Sequence, residues 1–297
     1  MRYRPLGPSG AIVSVISLKL GDDPARSRAS DWISLIYAAL ENGISTFEVS
    51  ADEPVVIEGL SQALKGVDRR LAFVAWRLPA GMRRDRSREA LDAHISSALS
   101  RTGLDYLDAL TIDEPAAGEF DVEAIAVLAK AKAAGSVRFL GLMGEGEATD
   151  QCVASGGFDM LTTAFNITSG WKERNRVRDA SAAEMAIVGY NSYPRAFHAA
   201  ATAAHKAGEG KAGAEALRGV GSYLFLDKTA GWTAEEICLA YALTEPALAT
   251  VQVRPASMAH LEQLASVPDR ELPPGLAAQI EMARFSPQAD AEDRRTA

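Results

Sequence analysis

The chain has 297 residues, 47% of them apolar and 24% charged, an ordinary globular composition with enough apolar material for a large core. Its formal net charge of −8 disfavours non-specific binding to nucleic acid. Two cysteines far apart in sequence, Cys152 and Cys238, exclude a disulfide framework and zinc-ligand spacing.

The opening MRYRPLGPSG lacks the apolar run of a signal peptide, and no stretch of about 18 apolar residues suggests a membrane span. A soluble cytoplasmic protein is the expectation, monomer or homodimer, with a small-molecule ligand, no nucleic acid and no membrane partner. The segment Arg83-Arg84-Asp85-Arg86-Ser87-Arg88 is a short basic run that reads as a solvated helix start.

Apolar runs of strand length alternate with helical patterns along the chain. AIVSVISLKL reads as a strand after the turn Pro8-Ser9-Gly10. DWISLIYAALENG places Trp32, Ile36 and Leu40 on one helical face, with Gly43 as the stop. Strand ISTFEV, helix VVIEGLSQALKG, strand LAFVAWRL and helix SREALDAHISSALSRTG follow, the last capped by Ser87. Then come strand YLDALTID, helix DVEAIAVLAKAKAAG, strand VRFLGLM, the short helix ATDQCVASGG and strand DMLTTAF.

A polar helix over 173–184 precedes strand MAIVGYN. An alanine- and glycine-rich segment over 195–230 reads either as a helix capping a site or as a flexible lid. Helix TAEEICLAYALTE, capped by Thr233, then strand ALATVQV, helix MAHLEQLAS and a terminal helix PPGLAAQIEMAR complete the series. Residues 286–297 read as a flexible tail.

Eight strand–helix units with strands apolar throughout predict one domain over 1–297, a (β/α)8 TIM barrel with an N-terminal hairpin and a C-terminal helix. An open doubly wound sheet is the alternative, but no Gly-x-Gly-x-x-Gly follows an early strand. GLMGEGEA alone is a weak phosphate-loop signal and more often a plain βα turn.

In such a barrel the site lies at the C-terminal ends of the strands. Those ends carry Lys19, then Glu48 with Asp52 and Glu53, Trp76 with Arg77, Asp113 with Glu114, Met143 to Glu145, Asn166, Tyr190 with Asn191, and Arg254 with Ser257. The predicted mouth is charged and mixed in sign. None of His94, His198, His205 and His260 falls at a strand end, so neither a metal site nor a histidine relay is predicted.

The order of these pieces resembles the aldo-keto reductases. RYRPLGPSGAIVSVISLKLG looks like that family's hairpin and first strand, and AALENGISTFEVSAD like its first helix and second strand. TGLDYLDALTID, AKAAGSVRFLGLM, FDMLTTAFN and VRPASMAHLEQL resemble later pieces in the same order, up to about residue 285.

The resemblance implies an NADPH-dependent carbonyl reductase working through an aspartate, a tyrosine acid, a lysine and a histidine. Counted onto this chain, those positions carry Glu48, Glu53, Arg77 and Asp113 in that order. A tyrosine donates its proton to a developing alkoxide; an ionised glutamate is an acceptor only, and its charge opposes the alkoxide. Arginine keeps its proton, and an ionised aspartate cannot donate to a carbonyl oxygen as histidine does.

The cofactor positions differ too: Lys19-Leu20, Met143-Gly144, Thr162 and Gln263-Leu264 replace the family's usual residues. Asn166, Tyr190, Arg254 and Ser257 are the residues left to hold NADPH. Tyr190 reads equally as a core residue, and Arg254 as a plain surface arginine. The expectation is a relative that has lost standard carbonyl reduction and acts by binding, with the acids of EVSADEP gathered around Arg77 and Lys19. An atypical NAD(P)H-dependent oxidoreductase, or an enzyme of another class using the Glu/Asp/Arg mouth, is the alternative.

Overall fold

The computed structural model describes residues 1–50, 52–78, 88–113, 122–194, 197, 223 and 225–284. The basic run 83–87 with the Ser87 cap, Glu114, most of 195–230 with His198 and His205, and the tail 286–297 lie outside the described residues.

The chain opens with β1 (Tyr3–Pro5) and β2 (Ile12–Ser14), an antiparallel hairpin with Tyr3 opposite Ser14. Then follow β3 (Ile16–Leu20), α1 (Ala29–Glu41), β4 (Thr46–Val49), α2 (Pro54–Leu64), β5 (Phe73–Arg77), α3 (Arg88–Thr102) and β6 (Leu107–Asp113). The second half brings α4 (Val122–Ala133), β7 (Val137–Met143), α5 (Glu147–Ser155), β8 (Met160–Ala164), α6 (Trp171–Ala182) and β9 (Ala186–Tyr190). It ends with α7 (Ala234–Leu243), β10 (Leu248–Val253), α8 (Met258–Ser266) and α9 (Leu276–Arg284).

Strands β3 to β10 pair in parallel and close into an eight-stranded barrel, in the order β10-β3-β4-β5-β6-β7-β8-β9. The fold is the (β/α)8 barrel that the alternating pattern predicts. The single strand expected for AIVSVISLKL is two. The break falls at Val15, whose N–H donates to Arg2 O on the hairpin side while its carbonyl accepts from Val251 N on the barrel side. Leu6 and Val13 of the hairpin are buried with Phe73, Ala109, Met160 and Ala186, so the hairpin plugs the barrel's N-terminal end. Gly7 makes the plug possible: its φ is +55°, and a Cβ there would stand 3.1 Å from Ala186 N.

The period of two along each strand divides the core. Outward residues such as Leu18, Phe47, Val74, Leu110 and Leu161 pack against the helices. The inner face is more polar than wholly apolar strands would give: Ser17, Thr46, Glu48, Thr111, Thr162, Thr250 and Gln252 line the middle of the barrel. Threonine is a good strand former, so these residues do not interrupt the β pattern.

Helix ends follow their sequence signals. Thr233 caps α7, accepting from Glu236 N at 3.2 Å while Glu236 Oε2 accepts from Thr233 N at 2.7 Å, a capping box. Ser257 caps α8 through His260 N at 3.1 Å. Helices α1 and α2 meet at Gly59, where a Cβ would lie 2.6 Å from Trp32 Cβ and 3.0 Å from Ala29 O. Gly59→Ala is expected to destabilise: overpacking of about 1–3 kcal/mol outweighs a helix-propensity gain of about 1 kcal/mol. A lower urea midpoint at unchanged slope checks it.

Candidate active site

The strand ends converge on a cleft of about 1070 Å³ at the C-terminal mouth of the barrel. Its charged lining is balanced in sign among the described residues: Lys19, Arg77 and Arg254 against Asp113, Glu145 and Glu235. Tyr190, Tyr193 and Gln252 supply neutral polar groups.

Arg77 ends β5 and lies on the inner face because Phe73 and Ala75 do. Its side chain is 12% exposed. The guanidinium donates to Ser50 O at 3.3 Å and contacts Met143 Sδ at 2.9 Å, with Asp22 Oδ2 and Asp113 Oδ2 each at 4.0 Å. Two carboxylates at that distance neutralise the charge without occupying the guanidinium's donor fork, so Arg77 retains donors for a ligand.

Lys19 on β3 pairs with Asp22 at 2.9 Å. Asp22, in the turn after β3, holds a left-handed φ of 54°. Its side chain accepts from Ser50 Oγ at 3.3 Å. Partial burial alone would raise the Asp22 pKa, but the Lys19 hydrogen bond and charge, with Ser50 and Arg77, hold it below the usual carboxylate value. Asn191, which lines the cleft, has φ 55°. Among the described residues, two of the three non-glycine positions at positive φ thus flank the mouth.

Glu53 is the brace of that turn. Its Oε1 accepts from Asp22 N at 2.9 Å. Asp52 leaves the cluster altogether and pairs with Arg101 of α3. The acids of EVSADEP therefore do not gather around Arg77 and Lys19 as expected. Asp22 and Asp113 take that place, and of the three only Glu48 lies under Arg77's influence.

Glu48, on the inner face of β4, is 5% exposed and sits below the cleft rather than in its wall. Burial pushes its carboxyl above the usual carboxylate range, against the Arg77 charge, the facing Gln252 amide and the Lys19 charge; Asp113 adds to the rise.

Trp76 was expected beside the pocket. It is 2% exposed and packs in the layer between barrel and helices, donating Nε1–H to His94 Nε2 at 3.1 Å. The parity of β5 is the reason: with Arg77 inward, Trp76 faces out. Its partner His94 is held below the ordinary histidine value by burial first, with Arg101 adding.

The positions matching the coenzyme site are differently engaged. Asn166 is 6% exposed; its Nδ2 donates to Asn191 O at 3.1 Å and its Oδ1 accepts from Thr168 N at 2.9 Å. The Tyr190 hydroxyl donates to Glu145 Oε1, and the Glu145 carbonyl accepts from buried Arg176 of α6. Ser257 is committed to capping α8. Leu264 is 1% exposed, inside the core. Arg254 is exposed and lines the cleft.

His260 bridges Ala256 N (3.1 Å to Nδ1) and Glu235 (3.3 Å from Nε2), and the Glu235 hydrogen bond raises its pKa. Asp22, Tyr193, Glu235 and Gln252 were not singled out by sequence. For Gln252, its inward parity on β10 was the available signal.

Among the described residues no group of three or more His, Cys, Asp or Glu is arranged to hold a metal, and no helix is long and apolar enough to cross a membrane. Cys152 and Cys238 form no disulfide, and the second is buried.

Comparison with known proteins agrees with the barrel. No curated protein matches the sequence. Among solved structures, the chain is similar to aldo-keto reductase AKR11C1 from Bacillus halodurans in its holo form, with a TM-score of 0.75 at 16% identity, covering 95% of this chain and 96% of that one. That likeness carries the fold alone. The sequence model of the Aldo/keto reductase family matches residues 17–284. With most of its length so matched, from β3 through α9, the chain belongs to the aldo/keto reductase family.

Proposed function

We propose that this family member binds a small polyhydroxylated ligand in the barrel mouth and does not carry out tyrosine-dependent carbonyl reduction with NADPH. The observation that carries the reading is the role of Glu53. At the position matching the family's proton donor stands a carboxylate that accepts the Asp22 backbone N–H and braces a turn. At the position matching the carbonyl-orienting histidine stands Asp113. Neither supplies a proton to an alkoxide in its ionised form.

The residues matching the coenzyme site do not fit a dinucleotide as a set. Asn166 is consumed by internal hydrogen bonds, Tyr190 by Glu145 and Ser257 by its helix. A pyrophosphate calls for a surplus of positive charge, whereas the described lining has three cationic groups against three acidic ones. Such alternating donors and acceptors suit hydroxyl groups, each of which donates and accepts. Arg77 is the anchor because its donor fork is preformed and sparsely used.

One observation favours a second reading, an atypical NAD(P)H-dependent oxidoreductase. Arg254 makes no ion pair among the described residues and lies near the N-terminus of α8, a suitable place for a phosphate.

Titration calorimetry on the full chain with NADPH, NADH and a panel of sugars and polyols separates the two. The expected result is no saturable binding of either coenzyme at millimolar concentration. A polyol should bind, and Arg77→Met should weaken it about ten- to hundredfold, the worth of a charge-assisted hydrogen bond. Micromolar NADPH binding with hydride transfer to a carbonyl substrate overturns the proposal in favour of the second reading.

A further inference from the structure

Below the cleft floor the barrel interior holds a second, smaller cavity, of about 20 Å³. Gln252 belongs to the wall of both spaces. Among the described residues, four side-chain atoms of the lining make no hydrogen bond of good geometry, Ser17 Oγ, Glu48 Oε1, Thr250 Oγ1 and Gln252 Nε2, although the Gln252 amide faces the Glu48 carboxyl closely enough to act on it. Their residues are 2%, 5%, 1% and 9% exposed in that order.

These atoms are not scattered. They come from β4, β3 and β10, three strands adjacent around the barrel. Ser17 stands opposite Gln252 in the β3–β10 register, and Glu48 opposite Lys19 in the β3–β4 register. Leaving a buried polar atom unsatisfied costs about 1–3 kcal/mol, so four in one chamber require a shared partner. A water needs about 10–15 Å³ and two to four polar neighbours, and this chamber meets both conditions for one molecule.

The chemistry of the donors selects water over a cation. Gln252 presents an N–H, and Ser17 and Thr250 present hydroxyls that donate or accept. Lys19 and Arg77 already place two positive charges on the Glu48 side. A third cation would be repelled; a water accepts from Gln252 and from one hydroxyl and donates to the other hydroxyl and to the carboxyl.

We propose that this chamber is an internal water site that bridges the Glu48 carboxyl to Gln252, Ser17 and Thr250. The charged groups that act on Glu48 are Lys19 on β3, Arg77 on β5 and Asp113 on β6. Burial outweighs the Lys19 and Arg77 charges at Glu48, and Asp113 adds to the rise in its pKa. Through Gln252 the bridge reaches the cleft, which makes Glu48 a positioning group beneath any ligand seated there. The inference stands on the interior chamber and is independent of which ligand the mouth takes.

Crystallography on the full chain and its variants tests it. A crystal structure at a resolution that shows ordered solvent should place one oxygen within hydrogen-bonding distance of Glu48 and Gln252, unchanged by a rubidium soak. Thr250→Val should lose that peak; Ser17→Ala, which removes a smaller group, serves if the first variant does not fold. A chamber without an ordered oxygen, a rubidium peak in its place, or an oxygen peak that survives the variant overturns the proposal.

Discussion

Replacing Asp108 by alanine is expected to lower the unfolding free energy by about 3–5 kcal/mol, the cost of stranding a buried charge partner. Asp108 lies near the start of β6, at the barrel end away from the cleft, and its side chain is 2% exposed. One oxygen accepts from Arg69 Nη2 at 2.6 Å and from Val74 N at 2.8 Å; the other accepts from Arg138 Nη1 at 2.9 Å. The carboxylate thus ties β5, β6 and β7 together. Arg69, 17% exposed, is held further by Tyr106 O at 2.9 Å and lies 4.1 Å from the Tyr106 ring centroid, so it rehydrates only by disrupting that stack. Truncation leaves the Val74 N–H buried and the half-buried Arg69 guanidinium with fewer partners. Arg138 is 46% exposed, rehydrates freely and adds little to the loss. Asp108→Asn keeps one acceptor and should lose less, about 1.5–3 kcal/mol. Urea unfolding of the two variants checks the order. Conserved ligand affinity in Asp108→Asn would place the effect in stability alone, as expected for the N-terminal face of a barrel.

The barrel was legible because each strand and helix announces itself locally. Apolar runs of strand length alternate with amphipathic stretches, and caps such as Thr233 and Ser257 sit where their helices start. The division of AIVSVISLKL at Val15 was not legible. Nothing local interrupts that apolar run; only Arg2 on one side and Val251 on the other split it. The positions of Arg77, Asp113 and Tyr190 in the cleft followed from their places at strand ends. Trp76 was misassigned although parity gives the answer: neighbours on one strand face opposite ways, so Arg77 and Trp76 cannot share the cleft.

The fates of Glu53 and Asp52 were illegible for a different reason. Their partners, the Asp22 N–H and Arg101, are remote in sequence and reached only once the barrel closes. Asp22 itself left a trace. It sits in Gly21-Asp22-Asp23-Pro24, turn-forming residues directly after a strand, and aspartate tolerates the left-handed backbone that the turn requires.

Glu48→Gln is expected to change the pH dependence of stability rather than simply its size. The folded-state pKa of Glu48 is raised above its unfolded value, with burial as the leading cause. In the window between those two values the folded state binds the proton and the unfolded state does not. Stability then falls as pH rises, because the unfolded state binds fewer protons. Below the unfolded carboxylate pKa both states are protonated, and the full contribution of Glu48 is present. It is lost as pH climbs through the folded pKa. Glutamine has the same shape, makes hydrogen bonds like a neutral carboxyl and does not titrate. The variant should therefore match the native chain near pH 4 and become relatively more stable toward alkaline pH. The gain should be about 1–3 kcal/mol, the order of an unmet buried acceptor. Asp22 acts with the opposite sign. Its folded pKa is depressed, so its contribution is lost as pH falls below the usual carboxylate range, and Asp22→Asn removes that acid-side dependence. Urea midpoints of the native chain and both variants from about pH 2 to about pH 9 separate the two slopes. Parallel curves for the native chain and Glu48→Gln would mean that Glu48 ionises as freely inside the barrel as outside it. The carboxyl would then behave as Arg77's counter-ion, and the barrel interior would hold a charge pair instead of a proton.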